Sequence, residues 1–491
     1  MTIKNKPQLI SYPDSLGGNL KTLNNILETD FKDLFKGGIH ILPPFPSSAD
    51  RGFAPLTYFK IEPKFGDWSD IVEIAKTHDI IVDQMVNHIS RQSEYFQDFI
   101  KNGRDSKYAE LFITLDKVWP GAKVAPEDLD KIFLRKPEHP FSDIRIEKTG
   151  KIERIWTSFG KSVDSSEQID LDVNSEQGKQ LLVDFLKHFA EKNIKIIRLD
   201  AIGYVIKKAA TSCFFVEPEI YEFLDWIQKE ANKLGLIILP EIHAHYKINH
   251  ALSKRGFWAY DFVLPALILH TLFSKSASKF KNYLKTCPKN QITMLDCHDG
   301  IPIQPDMEDI LTIAESKQIV ETCLQRGANI NRILTHDKKL DFDTHQINIT
   351  YYSALNHNDN TYLSARALQF FTPGVPQVYY VGLLAGKNSK AEIDKQDEGR
   401  AINRYNYSSK EIAREIKRPV VKKLFELIRF RNEYEAFNGD FEVLTSKASI
   451  IILAWKKLKS YCKLTVDLDT MTSVIEYLDD NNQLVKLELS V

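Results

Sequence analysis

The chain has 491 residues, 43% of them hydrophobic and 27% charged, which is a globular balance and enough length for one large domain with additions. Lys and Arg number 65 against 66 Asp and Glu, so no overall charge favours nucleic acid or an anionic membrane surface. The five scattered cysteines (Cys213, Cys287, Cys297, Cys323, Cys462) form no CxxC pair and no disulfide framework. No apolar run is long enough to span a membrane and the start lacks a signal-peptide core, so a cytoplasmic protein is expected.

Strand-like runs are expected at 8–12 (QLISY), 37–43 (GGIHILP), 80–86 (IIVDQMV), 195–201 (KIIRLDA), 236–242 (LIILPEI), 260–264 (YDFVL), 292–298 (ITMLDCH) and 377–382 (QVYYVG). Helical patterns lie between most of them, for example over 175–191 and 219–234. Such alternation indicates parallel α/β architecture, and about eight units suit a (β/α)8 TIM barrel better than an open sheet. The barrel is expected over 1–102 and 171–436. Residues 103–170 follow the third strand and are too long for a structureless connection, so they read as an inserted subdomain. A second insertion is expected at 303–350, after the seventh strand. Short strand-like runs from 437 to 491 predict a small antiparallel β domain.

The stretch KIIRLDAIGY, 195–204, puts Arg198 and Asp200 on one face of a buried strand, where charges are costly unless paired. In a barrel of this type reactive groups stand at the C-terminal strand ends. Three such ends finish in acids, Asp200, Glu241 and Asp299, with His88, Arg198 and His298 at comparable places. Carboxylates gathered on a barrel mouth suit glycosyl transfer: one attacks the anomeric carbon and another, with a raised pKa, protonates the leaving oxygen. Arg198 can hold the attacking carboxylate ionised and aimed.

The runs DQMVNH (83–88), IRLDAIGY (197–204), PEIH (240–243) and LDCHDG (295–300) resemble the four ordered motifs of the α-amylase superfamily. HILPPFPSSADRGFAPLTYFKIEPKFGDWSDI (40–71) and GRAINRYNY (399–407) narrow the resemblance to the sucrose phosphorylase group. It implies Asp200 as nucleophile, Glu241 as acid then base, and Asp299 as stabiliser of the transition state. It implies His88, Arg198 and His298 as lining of the glucosyl pocket, with Asp50 and Arg404 closing its far end and Phe53 and Phe159 as apolar walls. Asp83 reads as a structural partner of Arg198. Asn87 matches a calcium ligand of amylases, but the phosphorylase group implies no metal, and no other cofactor is expected.

A glycosyl-enzyme ester can be opened by water or by phosphate, and preferring phosphate needs donors for a dianion beside the anomeric carbon. The resemblance assigns these to Tyr204, His243, Lys136 and Gln346, with Lys136 standing where relatives often carry Arg. Two departures lie in loops that border the leaving-group side: Arg135 where the group usually has Pro, and His345 where it usually has Tyr. A new Arg and a new His beside a sugar suggest a phosphate on that sugar, which resembles the sucrose 6′-phosphate phosphorylases. The expected partners are therefore a sugar phosphate and inorganic phosphate, with the chain a monomer or homodimer. The alternatives are plain sucrose phosphorolysis, phosphorolysis of glucosylglycerate or glucosylglycerol, hydrolysis, and a catalytically silent sugar-binding barrel.

Overall fold

The computed structural model describes residues 2–160, 162, 166–333, 342–396 and 398–491, with Asp50, Lys395 and Gln396 as backbone alone. All eight expected parallel strands are present. They are β1 (Gln8–Ser11), β2 (Gly38–Ile41), β3 (Ile80–Met85), β4 (Ile194–Asp200), β5 (Ile237–Pro240), β6 (Ala259–Asp261), β7 (Gln291–Thr293) and β8 (Val375–Tyr379). Their residues are almost all buried, as strands covered on both faces must be, which explains the unbroken apolar runs. The architecture is a (β/α)8 barrel.

The helix Glu176–Glu191 shows how the layers form. Ser175 caps it by accepting from the Gly178 amide, and Leu182, Phe185, Leu186 and Phe189 make one buried stripe. The helix Glu219–Lys233 repeats the pattern with Ile220, Phe223, Leu224 and Ile227.

Most strands are shorter than the expected runs, and side chains mark where β6 and β7 end. β6 stops at Asp261 because its carboxylate accepts from the Val263 and Leu264 amides and starts the next helix, Leu264–Ser274. β7 stops at Thr293, and beyond it Asp296 takes a fork-like grip from the buried Arg366, with both oxygens 2.8 Å from Nη2.

The chain divides into two compact units. The first is essentially 41–242. Within it β3, β4 and β5 pair in parallel, with Asp83 opposite Arg198, Met85 opposite Asp200 and Leu199 opposite Pro240. It also holds the stretch expected as an insertion, which contains an antiparallel hairpin, Phe141–Arg145 with Ile152–Trp156, and its own small core around Trp119, Leu134 and Trp156.

The second unit spans 2–40, 243–332 and 342–491. Its parallel strands run in the order β6, β7, β8, β1, β2. Ile301–Pro302, Thr344–Asn348 and Asn329–Arg332 form a small antiparallel sheet. The C-terminal region is a five-stranded antiparallel sheet from Asp440–Val443 to Leu484–Glu488. Among the described residues no helix is long and apolar enough to cross a membrane.

Candidate active site

In the first unit Asp200 ends β4 and Glu241 follows β5, and the Glu241 amide donates to the Leu199 carbonyl at 3.1 Å. Neighbouring strand ends thus carry the two acids. One buried guanidinium serves both: Arg198 Nη1 donates to Asp200 Oδ1 at 2.8 Å and to Asp83, while Nη2 lies 3.5 Å from Glu241 Oε1. Phe53 lies against the same guanidinium, 6.0 Å from ring centre to carbon.

Just beyond Asp200, Ala201 adopts a left-handed conformation, φ 55°, which is costly for a residue with a Cβ. That twist presents the Ala201 amide to Glu241 Oε2 at 3.2 Å. The carboxyl of Asp200 is pushed up to about 8. Burial is the largest cause, the charges of Glu241 and Asp83 add to it, and Arg198 pulls the other way.

An aromatic wall stands beside this pair. Phe159 packs edge-on against His88 (centroids 5.4 Å) and Tyr204 (5.0 Å), and Tyr204 also meets Phe133 and Phe214. His88 is buried. Its Nε2–H donates to the Phe53 carbonyl at 2.9 Å, and burial lowers its pKa to about 4, so the ring is neutral.

Arg135 lies two residues past Phe133 and bridges in strand fashion to Phe159, so the backbone carries it to the same wall. It is half-buried, and among the described residues no carboxylate lies within ion-pair distance of it.

Lys136 is fully buried, and its ammonium donates to Phe141 O (3.0 Å), Ser142 Oγ (3.0 Å) and Thr157 Oγ1 (2.6 Å). These bonds tie the segment before Lys136 to the Phe141–Trp156 hairpin.

A second buried lysine went unnoticed in the sequence. Lys207 Nζ sits 2.7 Å from Asp170 Oδ2 and 2.6 Å from Asn87 Oδ1, and also donates to the Tyr204 carbonyl. The lone pairs of Asn87, which by resemblance could have faced a metal, face an ammonium here. Asp170 further accepts from the Ser158 amide and hydroxyl and from Asn87 Nδ2. This network fastens the strand Gln168–Asp170 against His88–Ser90. Lys207→Met leaves Asp170 buried without its counter-charge and is expected to cost about 3–5 kcal/mol in urea unfolding. A loss below about 1 kcal/mol would show that the ammonium is not what holds Asp170.

In the second unit Asp299 follows β7. Burial would raise its pKa, but Arg400, His298, His243 and Arg404 together hold it well below the usual carboxylate range. Arg400 Nη1 is 2.8 Å from Asp299 Oδ1, His298 Nε2 is 3.7 Å from Oδ2, and Arg404 Nη2 is 4.0 Å from Oδ1. Arg404 is fully buried and donates through Nε to the His298 carbonyl at 2.9 Å. The side chain of Asp50, its expected companion, lies outside the described residues.

Arg400 is a further residue that the motif reading passed over. Its Nη2 also donates to Gln346 Oε1 at 3.3 Å, so one guanidinium joins Asp299 to Gln346. An Arg four positions before another in GRAINR was the available signal.

His345 and Gln346 lie on the strand Thr344–Asn348 rather than in a loop. The register pairs Thr344 with Arg332 and Gln346 with Asn331, skipping His345, so His345 is the bulged residue. Bulges re-aim a side chain out of the ordinary alternation. His345 Nδ1 lies 2.6 Å from the Gln304 carbonyl, and its ring is 6.1 Å from that of His243.

The expected residues divide between the two units. Asp200, Glu241, Arg198, His88, Phe53, Phe159, Tyr204 and Arg135 belong to one; Asp299, His298, Arg404, His243, His345 and Gln346 belong to the other. Acids on barrel strand ends, bound by buried guanidinium groups and flanked by aromatic rings, define a carbohydrate-active barrel. A model of the alpha amylase catalytic domain matches residues 11–256, and the chain belongs to the alpha-amylase family.

Its relatives within that family include phosphorylases. It is 55% identical over 488 residues, 99% of both chains, to the sucrose 6(F)-phosphate phosphorylase of Thermoanaerobacterium thermosaccharolyticum. It is 43% identical to the sucrose phosphorylase of Streptococcus mutans, over 99% of this chain and 100% of the other. The crystal structure of a sucrose 6F-phosphate phosphorylase from Thermoanaerobacter thermosaccharolyticum superposes with a TM-score of 0.96 at 55% identity, over 99% of this chain and 98% of that one. An alpha-amylase from H. orenii shares the fold at 15% identity, with a TM-score of 0.69 over 98% and 96% of the two chains.

Proposed function

We propose that this protein is a retaining glucosyl transferase that cleaves sucrose 6′-phosphate with inorganic phosphate, releasing fructose 6-phosphate and α-glucose 1-phosphate. In the first step Glu241 protonates the glycosidic oxygen, an Asp200 oxygen bonds to the anomeric carbon, and the bond to fructose breaks. In the second a phosphate oxygen bonds to that carbon, the Asp200 ester bond breaks, and Glu241 takes up the proton from phosphate. One guanidinium, that of Arg198, lies against both carboxyls and holds them side by side, one to attack and one to serve as acid and then base. Asp299, held ionised by its cations, stabilises positive charge at the anomeric carbon. His88, His298, Arg404, Asp50, Phe53 and Phe159 hold the glucosyl ring, and Tyr204, His243 and Gln346 receive phosphate.

The observation that carries the phosphorylated donor is Arg135. A half-buried guanidinium with no carboxylate beside it among the described residues, on the aromatic wall near Tyr204, is suited to an incoming anion. His345, aimed by its bulge, supplies a second donor. The test is a donor panel in phosphate buffer scored for glucose 1-phosphate. Sucrose 6′-phosphate is expected to exceed sucrose, glucosylglycerol and glucosylglycerate at least about tenfold in kcat/KM, the worth of one good charge-assisted contact. Equal use of plain sucrose would replace this reading by sucrose phosphorolysis, and glucose without glucose 1-phosphate would make the enzyme a hydrolase.

A further inference from the structure

We infer that Asn348 is the positioning residue for His345: it fixes the strand register that makes His345 a bulge, and with it the preference for a phosphorylated donor. This rests on the reading that His345 meets the donor phosphate. Asn348 ends the strand Thr344–Asn348 and is 1% exposed. Its Nδ2 donates to Asn329 Oδ1 at 2.6 Å and to Asn331 Oδ1 at 3.2 Å, both on the neighbouring strand Asn329–Arg332. Asn329 is its direct cross-strand partner and passes the hold on, because Asn329 Nδ2 donates to the Gly399 carbonyl at 3.0 Å. The strand also runs close over Gly300, where a Cβ would come within 2.6 Å of Asn348 Oδ1 and 2.9 Å of Gln346 Cβ. This end of the strand cannot shift along its neighbour without breaking those bonds.

The far end of the pair is held as well. Arg332 Nη1 donates to both oxygens of Asp343, at 2.6 and 2.8 Å. Between the two holds one strand has 4 residues, Asn329 to Arg332, and the other has 5, Thr344 to Asn348. One residue must be left over, and the register places it at His345. In an unbroken strand His345 would share a face with the buried Ile347, since alternate residues point the same way. The bulge takes His345 out of that alternation and leaves its Nδ1 2.6 Å from the Gln304 carbonyl. The Arg332–Asp343 pair is exposed, with 60% and 35% of the two side chains in solvent, and such pairs contribute little. The buried amide of Asn348 is therefore the stronger hold. Without it the strand can slip by one residue, and a slip turns each side chain to the opposite face.

The consequence falls on one donor. Sucrose offers no phosphate to His345, so a misdirected imidazole costs the phosphorylated donor alone. Gln346, on the same strand, serves both donors in the phosphate step, and its displacement cancels when the two are compared.

The experiment measures kcat/KM for sucrose 6′-phosphate and for sucrose, in phosphate buffer, in the unmodified enzyme, Asn348→Ala, His345→Ala and the double variant. Asn348→Ala is expected to lower the ratio of the two about fivefold or more. In the His345→Ala background the same substitution should change the ratio less than about twofold, because the residue through which it acts is gone. A ratio unmoved by Asn348→Ala, or lowered as much in the absence of the His345 imidazole, would overturn the inference, while His345→Ala would still show its own loss. If His345→Ala itself leaves the ratio unchanged, the underlying reading of His345 fails, and the inference with it. Should Asn348→Ala not fold, Asn329→Ala, which removes the same bond from its half-buried partner, takes its place in the same comparison.

Discussion

Replacing Asp200 by Asn is expected to abolish glucosyl transfer, lowering kcat by about 10⁴-fold or more, since no carboxylate then remains to form the ester. Rapid-quench assays with donor and phosphate would measure this, and near-normal turnover would overturn the nucleophile assignment. The same substitution has an opposite effect on stability. The carboxyl of Asp200 is raised to about 8 in the folded protein, chiefly by burial, against an ordinary value of about 4. Ionising it therefore costs folding free energy. That cost is absent below about pH 4, grows as pH rises toward 8, and is constant above. The Asn variant, with Arg198 still bonded to Asp83, should melt higher than the native protein at pH 8 by up to a few kcal/mol in stability, and the difference should vanish near pH 4. A gain that does not change with pH would mean that the stabilisation has another origin.

The double substitution Arg135→Ala with His345→Ala is expected to separate the two donors. Each side chain can contribute about 1.5–3 kcal/mol through a hydrogen bond to a charged group, so kcat/KM for sucrose 6′-phosphate should fall about 10²–10⁴-fold. Plain sucrose, which lacks the phosphate, should lose less than about tenfold. Arg135→Lys keeps the charge but not the planar fork and should fall between the native enzyme and Arg135→Ala. Equal losses on both donors would remove the case for a phosphate pocket.

Much of the barrel was legible in the chain because burial on both faces forces unbroken aliphatic runs such as those of β3 and β4, and one-sided burial forces the striped pattern of the helix Glu176–Glu191. Strand ends were less legible. Asp261 and Asp296 stop β6 and β7 through bonds to groups that the local pattern does not name, among them Arg366 from far along the chain.

The candidate site divides in the same way. The acids and Arg198 could be read because charge at the end of a buried strand has few structural explanations. His345 was expected in a loop, and only the register of Thr344–Asn348 against Asn329–Arg332 shows it as a bulge.

The two buried lysines mark the boundary most clearly. Nothing in the local sequence tells Lys136, which bonds to the hydroxyls of Ser142 and Thr157, from Lys207, whose ammonium neutralises Asp170. Sequence alone determined the strand–helix order and the placing of acids on strand ends, because both follow from periodicity and from the cost of burying charge. Tertiary structure alone decided which partner each buried charge found, since hydrogen bonds and ion pairs act over a few ångströms between residues far apart in the chain.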